Sequence, residues 1–402
     1  MLNAWYVWST GTRLERQFVA LREAGQPLQI ADLARTPIAP EMNAAVFLRR
    51  AADDLEAMQK ELIALYPKTT YPTGTLLPAE QEKLEKLFAA YPNVLPLLEQ
   101  AAACPDYDPQ VDYTLPPTGF SASQMERLTR NRVLFRVLRA RSAWLASKGR
   151  NDEALATTIM MLRLSRHLHR EPFIVGYLVT VACKGIAMDG VNQVLQSGPV
   201  SPASRQALHA ELTLHDNMEG YRWAFRSERA FVLSSMREMP GHDFWLMRGF
   251  ANDGTLQLLK LMEQHLTNAT RPYADVIAEQ DSTVSAPKGG GTPYQVVIEL
   301  LKPALNAARE PAERLRAATR SLRVLNALQV HAAMDGDVMP ELSDLGLSED
   351  VTKDPFNGQP LKFKRFPDGW TVYSVGRNLV DDGGNFDGRT DVGVGPIRPE
   401  RN

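Results

Sequence analysis

The spacing of hydrophobic residues predicts a chain that is helical over most of its length. Apolar side chains recur three or four positions apart, as in Leu14, Phe18 and Leu21, which share one face of a helix. Strict alternation, which is typical of a half-buried strand, occurs only at 361–366 and 370–375. The predicted helices cover residues 12–23, 41–65, 80–90, 123–148, 153–169, 174–195, 202–215, 218–239 and 255–266.

This pattern predicts a mainly α fold, in which a multi-helix body is followed by a small α+β C-terminal module. The module would hold a helix from about Pro293 to Asp335, broken at least once by Pro303 and Pro311, and a short antiparallel sheet. Pro367-Asp368-Gly369 separates the two strand-like runs and favours a hairpin.

The most marked break in the pattern is the glycine-rich stretch 286–292, which contains Gly289, Gly290 and Gly291 between two prolines. Such a stretch is typical of a flexible linker. It divides the chain into a helical body, 1–285, and a C-terminal module, 293–402.

Residues 143–155 resemble a single tetratricopeptide-type helical hairpin. The small residue Ala143, the turn residue Gly149 and the helix start Asn151-Asp152-Glu153-Ala154-Leu155 carry the resemblance. No second copy follows at a period of about 34 residues, so the match predicts antiparallel stacking of two helices and no repeat array.

The N-terminus places three aromatic residues, Trp5, Tyr6 and Trp8, within four positions, just before a charged amphipathic helix. Trp and Tyr are enriched at membrane interfaces. Residues 1–11 are therefore either the outer end of a membrane anchor whose apolar part lies upstream, or a tail whose rings pack on the body.

Charge and cysteine content exclude several classes of protein. The 45 basic and 47 acidic side chains give a formal net charge of −2, which argues against a nucleic-acid binder. Cys104 and Cys183 are too few for a disulfide scaffold or a four-ligand zinc site. They form one disulfide or remain two buried free thiols.

No catalytic sequence motif is present, but two adjacent pairs could each be half of an acid–base site. These pairs are His215-Asp216 and His242-Asp243, both in predicted loops. Solvated or capping roles are the alternative. A basic helix face, formed by Arg222, Arg226 and Arg229, either receives an acidic partner or pairs with Glu219 and Glu228.

The last 80 to 100 residues resemble the C-terminal globular domain of type II secretion major pseudopilins. Four segments match in order: Gly336-Asp337-Val338-Met339-Pro340, Asp354-Pro355-Phe356-Asn357-Gly358-Gln359-Pro360-Leu361, Gly369-Trp370-Thr371-Val372-Tyr373-Ser374-Val375-Gly376, and Asp381-Asp382-Gly383-Gly384 through Asp391-Val392-Gly393. The resemblance implies a helix packed on a small antiparallel sheet and a C-terminal loop that binds calcium.

The chain also departs from that family. Pseudopilins begin with a hydrophobic membrane helix that builds the filament, whereas the corresponding helix here is internal and follows about 290 residues. It carries four arginines, Arg314, Arg316, Arg320 and Arg323. The resemblance therefore implies the fold of the module and does not imply filament assembly by the usual route.

The residues of the loop favour calcium on their own chemistry as well. Four carboxylates lie within eleven residues among several glycines, and calcium takes six to eight oxygen ligands. The spacing does not fit an EF-hand, and a solvated polar tail is the alternative. The predicted metal ligands are Asp381, Asp382, Asp387 and Asp391.

These observations predict a non-enzymatic structural or protein-interaction protein of the cell envelope, with a calcium-binding pseudopilin-like module and an unidentified protein partner. One alternative is an enzyme with a site in the helical body around His215, Asp216, His242 and Asp243. The other alternative is a cytoplasmic helical adaptor.

Overall fold

The computed structural model describes residues 2–72, 74–240, 244–245, 247–282, 292–335, 339–386 and 390–396. The mainly α fold with a small C-terminal sheet is confirmed. The α-helices are α1 Leu2–Glu23, α2 Ala44–Arg50, α3 Ala52–Leu65, α4 Pro78–Ala90, α5 Val94–Ala103, α6 Pro117–Ser147, α7 Asn151–Leu168, α8 Phe173–Ser197, α9 Pro202–Thr213, α10 Glu219–Arg237, α11 Arg248–Asn268, α12 Tyr273–Ser282, α13 Pro293–Ala307, α14 Arg309–Asp335 and α15 Glu349–Thr352. The strands are β1 Lys362–Phe366, β2 Gly369–Ser374 and β3 Val392–Val394.

Helices α6, α7 and α8 pack against one another and form the centre of the body. Gly149, in the left-handed region with φ +74°, turns the chain between α6 and α7. The hydroxyl of Ser142 then donates to the Ala154 carbonyl across the pair, at 3.2 Å. This is the antiparallel helical hairpin that the sequence predicts at residues 143–155.

Among the described residues, α8 is the one helix long and apolar enough to cross a membrane. However, 61% of its most apolar window is buried inside the protein. Its interior also holds Lys184, which is fully buried. In this fold α8 is the central core helix, packed between α6, α7, α10 and α14.

Helices α1, α10, α11 and α13 surround a second hydrophobic cluster, which contains Tyr221, Phe225 and Tyr294. A Cβ at Gly254 of α11 would lie 2.4 Å from the Cβ of Tyr294, so glycine is what lets α13 approach this closely. Helix α1 lies along α11, since Thr10 contacts Asn252.

The C-terminal sheet has the order β1-β2-β3 and is antiparallel throughout. In the predicted hairpin, Lys362 pairs with Tyr373 and Phe366 pairs with Gly369, which confirms the hairpin. The sheet packs on α14, whose other side contacts α8 and α9. Residues from the sheet, from α14 and from α6–α8 therefore belong to one continuous hydrophobic core.

The Asp354–Leu361 segment is fixed to the sheet by one buried carboxylate. Asp354 accepts hydrogen bonds from the Ser374 hydroxyl at 2.7 Å, from the Val375 amide at 2.8 Å and from the Phe356 amide at 2.8 Å. Phe356 is thereby placed against Tyr273 of α12, which ties this segment to the body.

Three predicted helix boundaries differ from the structure, including the start of α6, which lies at Pro117 and not at residue 123. The first helix begins at Leu2 and not at residue 12, because the uncharged segment before Thr12 continues the helix along α11. The helix predicted at 41–65 is two helices separated at Ala51. The predicted break in the C-terminal helix is confirmed and lies at Ala308, between Pro303 and Pro311. Most of the predicted linker, 283–291, lies outside the described residues.

Candidate functional site

The predicted metal loop is closed around one buried carboxylate, that of Asp391. Its oxygens accept hydrogen bonds from the backbone amides of Gly384 at 2.7 Å, Asn385 at 3.2 Å and Asp382 at 3.4 Å. Burial raises the pKa of Asp391, although these amides stabilise the charged form. Gly384 has a φ of +82°, a conformation that glycine adopts without strain.

Lysines from β1 reach the rim of the same loop. The ammonium of Lys362 lies 3.1 Å from a carboxylate oxygen of Asp381, and Lys364 donates to the Gly383 carbonyl at 3.0 Å. The Tyr373 hydroxyl donates to Asp381 at 3.1 Å, and Asp382 accepts a hydrogen bond from the side-chain Nδ2 of Asn378 at 2.8 Å. The loop therefore packs against the hairpin.

The described carboxylates already have protein donors, and a metal ion would have to displace Lys362 from Asp381. Among the described residues, no group of three or more Asp, Glu, His or Cys is placed to hold a metal. Asp387, the fourth predicted ligand, lies outside the described residues. Calcium binding by this loop therefore stays a prediction.

His215 and Asp216 lie in a buried network of charged groups between α7, α8, α9 and α14. Asp216 accepts hydrogen bonds from Nε of Arg320 at 2.7 Å and from Nε of Arg316 at 3.1 Å. Nε2 of His215 lies 3.1 Å from Glu211, a carboxylate that also pairs with Arg166 of α7. These contacts join α14 to the body. His242 and Asp243, the other predicted pair, lie outside the described residues.

Lys184 is the least expected member of this network. Its ammonium donates to the His215 carbonyl at 3.1 Å, and the side chain is 2% exposed. Burial lowers the pKa of Lys184 to about 7, against the opposing effect of Asp216 and Glu211. Burial and the nearby Lys184 charge lower the pKa of His215 to about 4. The sequence gives no sign of this site, because Lys184 is a single charged residue at the end of the apolar first half of α8, and the next charge is Asp189.

In the structure, one arginine of the basic face predicted on α10 is buried in the interior. Arg229 is 1% exposed, and its Nη2 donates to the side-chain oxygen of Gln26 at 2.8 Å and to the Pro27 carbonyl at 3.3 Å. Pairing of this residue with Glu219 or Glu228 is therefore wrong. Glu228 instead accepts a hydrogen bond from the backbone amide of Ile174 at 3.0 Å, at the start of α8.

Both cysteines, Cys104 and Cys183, are free thiols and are buried. Burial raises the pKa of Cys183 to about 12, which keeps this thiol protonated and unreactive at neutral pH. The alternative of a disulfide between Cys104 and Cys183 is wrong for this structure. Two buried thiols are compatible with an oxidising or a reducing compartment, since neither has a partner within reach.

An exposed apolar surface lies at the N-terminal ends of α1 and α11. The Tyr6 ring packs against Gly249, where an added Cβ would lie 2.5 Å from it, and edge-on against Phe250 with centroids 5.8 Å apart. Trp5 and Trp8 of α1 are 64% and 67% exposed. One interpretation of the N-terminus is that its aromatic rings pack on the body. This holds for Tyr6 and fails for Trp5 and Trp8.

A second aromatic pair precedes α11. The Phe244 carbonyl accepts from the Met247 and Arg248 amides at 2.8 and 3.0 Å, so this turn leads directly into the helix. Phe244 and Trp245 are 52% and 63% exposed. We call this surface the aromatic end; it comprises Trp5, Tyr6, Trp8, Phe244, Trp245 and Phe250.

In both segments that form the aromatic end, an uncharged aromatic stretch comes first and arginine follows it. Residues 2–12 and 244–247 carry no charged side chain, and each segment is followed by arginine, at Arg13 and Arg16 in α1 and at Arg248 in α11. The sequence signal of the first segment was recognised. The second segment has no local sequence signal that links it to the first, because the link arises only from the packing of α1 on α11.

Comparison of the chain with protein-family models, curated proteins and solved structures finds no match.

Proposed function

We propose that this protein is a non-enzymatic structural or interaction protein of the cell envelope, which rests on a membrane surface through its aromatic end. The observation that carries the proposal is the exposure of Trp5, Trp8 and Trp245 on one end of a helix pair. Indole rings prefer the interface between lipid headgroups and acyl chains, where an apolar ring and a polar N–H are both accommodated.

The arginines that follow each aromatic segment support the same orientation. Arg13 and Arg248 would lie behind the rings, at the level of anionic lipid headgroups. Apolar residues in contact with lipid and cations behind them are the pattern of proteins that lie on a bilayer without crossing it.

The pseudopilin-like module, in this proposal, has a structural and interaction role away from the membrane. Its helix α14 is covered by the sheet on one side and by α8 and α9 on the other. Over most of its length α14 is therefore covered by other elements and offers little surface with which to assemble a filament, although Val330 and Met334 near its end are exposed. This supports a module that stabilises the body and offers its hairpin and loop to a protein partner.

The enzyme alternative has less support in the described residues. His215 is buried and Asp216 is engaged by two arginines, so both serve the network that joins α14 to the body. An acid–base site around His242 and Asp243 stays an alternative.

The test is sedimentation of the full chain with phosphatidylcholine vesicles, with and without phosphatidylglycerol. We expect binding that strengthens with the anionic lipid, and a loss of about tenfold in the Trp5→Ala/Trp8→Ala double variant, because two interfacial anchors are removed. The matched control is Leu77→Ala/Leu300→Ala, which removes two exposed apolar side chains on other surfaces.

Absence of vesicle binding by the unaltered protein would overturn the proposal. Equal loss of binding in the Trp and Leu double variants would show nonspecific apolar adsorption and would also overturn it. If the aromatic end instead docked on a protein, the unaltered chain would ignore vesicles of either composition.

A further inference from the structure

A cavity of about 830 Å³ lies between α1, α10 and α11. Its α1 lining runs from Arg13 to Leu21, so it begins more than one helical turn after Trp8 of the aromatic end. Its size lies within the range of about 300–1,000 Å³ that is usual for small-ligand sites. Leu256 and Leu259 form apolar wall, and Gln17 and Gln264 supply amide groups. The remaining lining is unusually rich in cations.

The floor of the cavity includes Arg229, which is 1% exposed. No carboxylate among the described residues forms an ion pair with it, and its buried Nε has no hydrogen-bond partner there. Its remaining contacts are the neutral oxygens of Gln26 and Pro27. Burial lowers the pKa of Arg229 to about 10, so the side chain is still a cation at neutral pH.

The charge of Glu263 acts on Arg229, but the two form no ion pair, and the positive charge of Arg226 opposes that attraction. A buried cation with so weak a counter-charge is costly, because its desolvation is only partly offset. Such an arrangement is typical of a site whose counter-charge is a ligand. A structural role would be served by a carboxylate within ion-pair distance, as Glu313 serves Arg309 elsewhere in this protein at 2.6 Å.

Two further cations at the rim, Arg13 and Lys260, form no ion pair with any described residue. Arg271 also lines the cavity but is paired with Glu279. Glu263 is the single carboxylate among the described lining residues. Three cations that lack an ion pair and one carboxylate leave a charge of +2, which is the charge that a phosphate monoester carries with opposite sign at neutral pH.

We propose that this cavity binds a phosphate monoester, with the phosphate group held by Arg229, Arg13 and Lys260 and an organic part lying on Leu256 and Leu259. Arginine suits this task because its planar guanidinium donates two parallel hydrogen bonds to phosphate oxygens. The proposal does not depend on the membrane role of the aromatic end.

The ligand is either a soluble phosphate ester or the headgroup of a phosphatidic acid. Calorimetric titration of the full chain, at constant ionic strength, with inorganic phosphate, glycerol 3-phosphate and dihexanoyl phosphatidic acid distinguishes these sources. Tighter binding of the lipid than of glycerol 3-phosphate indicates a lipid headgroup, and the reverse order indicates a soluble ester. Binding of either one supports the site.

The variants are Arg13→Gln and Lys260→Gln, both at exposed positions, together with Arg229→Met. We expect each exposed variant to weaken binding several-fold, and Arg229→Met to weaken it at least about tenfold. The matched control is Arg22→Gln, which removes an exposed α1 arginine that is paired with Glu15 away from the cavity.

The exposed variants keep the test decisive even if Arg229→Met does not fold. Titrations with no heat beyond that of a chloride control, for all three ligands, would overturn the proposal. Binding that survives unchanged in both Arg13→Gln and Lys260→Gln would place the anion elsewhere and would overturn it too.

Discussion

At the scale of single residues, the structure buries several charged side chains. In the sequence their positions indicate only an apolar helix, a basic helix face or a loop. Lys184, Arg229 and Asp354 are each almost completely buried. Asp354 is fully satisfied by three donors, and Lys184 has one described acceptor, the His215 carbonyl. The free-energy cost of burial therefore differs from one of these charged side chains to the next.

Lys184 gives a prediction about pH. Its folded-state pKa of about 7 is below the unfolded value of about 10.4, so the unfolded chain holds more protons between these limits. The cost of burying its charge is complete below pH 7 and disappears as the pH rises towards 10. We expect the stability of Lys184→Met relative to the unaltered protein to fall by a few kcal/mol from pH 7 to pH 10.

Urea unfolding at pH 7, 8.5 and 10 measures this difference. Lys60→Met, at an exposed position of α3, is the control for loss of a lysine. Parallel pH profiles for Lys184→Met and the unaltered protein would show that Lys184 remains charged in the folded state.

At the scale of elements, the hairpin β1–β2 and the loop after it act together. Lys362 and Lys364 of β1 contact Asp381 and Gly383, and Tyr373 of β2 contacts Asp381. The hairpin thus supplies to the loop the positive charge that the resemblance to pseudopilins assigns to calcium. A calcium ion in this loop would compete with Lys362 for the carboxylate of Asp381.

This competition leads to a prediction for calcium. If Asp381, Asp382, Asp387 and Asp391 bind the ion, millimolar calcium raises the melting temperature of the full chain, by linkage of about 2.7 kcal/mol at a hundredfold excess over Kd. Lys362→Gln enlarges the rise because it removes the competing ammonium. Magnesium replaces calcium poorly, since it requires a small octahedral site.

Thermal unfolding with calcium, magnesium or chelator checks these outcomes. Asp382→Asn should abolish the rise, whereas Asp368→Asn, in the exposed hairpin turn, should retain it. A melting temperature indifferent to calcium in both the unaltered protein and Lys362→Gln would leave the loop as a structure closed by its own lysines and amides.

At the scale of the whole molecule, α14 joins the C-terminal sheet to the helical body. Leu322, Leu325 and Leu328 are completely buried. Polar contacts accompany them: Gln329 donates to the Leu195 carbonyl at 3.0 Å, and Arg320 donates to Asp216 at 2.7 Å. The sheet and the body therefore share the helix on which each depends.

This sharing predicts that the two sides of residues 283–291 do not fold separately. The full chain should unfold in one cooperative transition, and a fragment of residues 292–402 should lack one, because the face of α14 that meets α8 and α9 would be exposed to water. Near-ultraviolet circular dichroism during heating measures this. A sharp transition in the isolated fragment would establish an independent module.

Several features were determined by the sequence alone. Most helices of the body, though not α5 and α12, follow from local periodicity and turn residues, which act over a few positions, as do the Gly149 hairpin and the β1–β2 hairpin. Boundaries were less well determined: residues 2–11 extend α1 because they pack on α11, and the sequence does not contain that contact in local form.

Other features were decided only by the tertiary structure, because they depend on which distant segments of the chain come into contact. It exposes Trp5 at the same end of the α1–α11 pair as the aromatic segment that precedes α11, places Arg229 at the floor of a cavity lined by α1, and brings Lys362 to Asp381. The members of these pairs are 19 to 239 positions apart in the sequence. Hydrophobic periodicity identifies the face of a helix that is buried but not the element that covers it, so a side chain's charge partner, or its lack of one, is settled only when the helices pack.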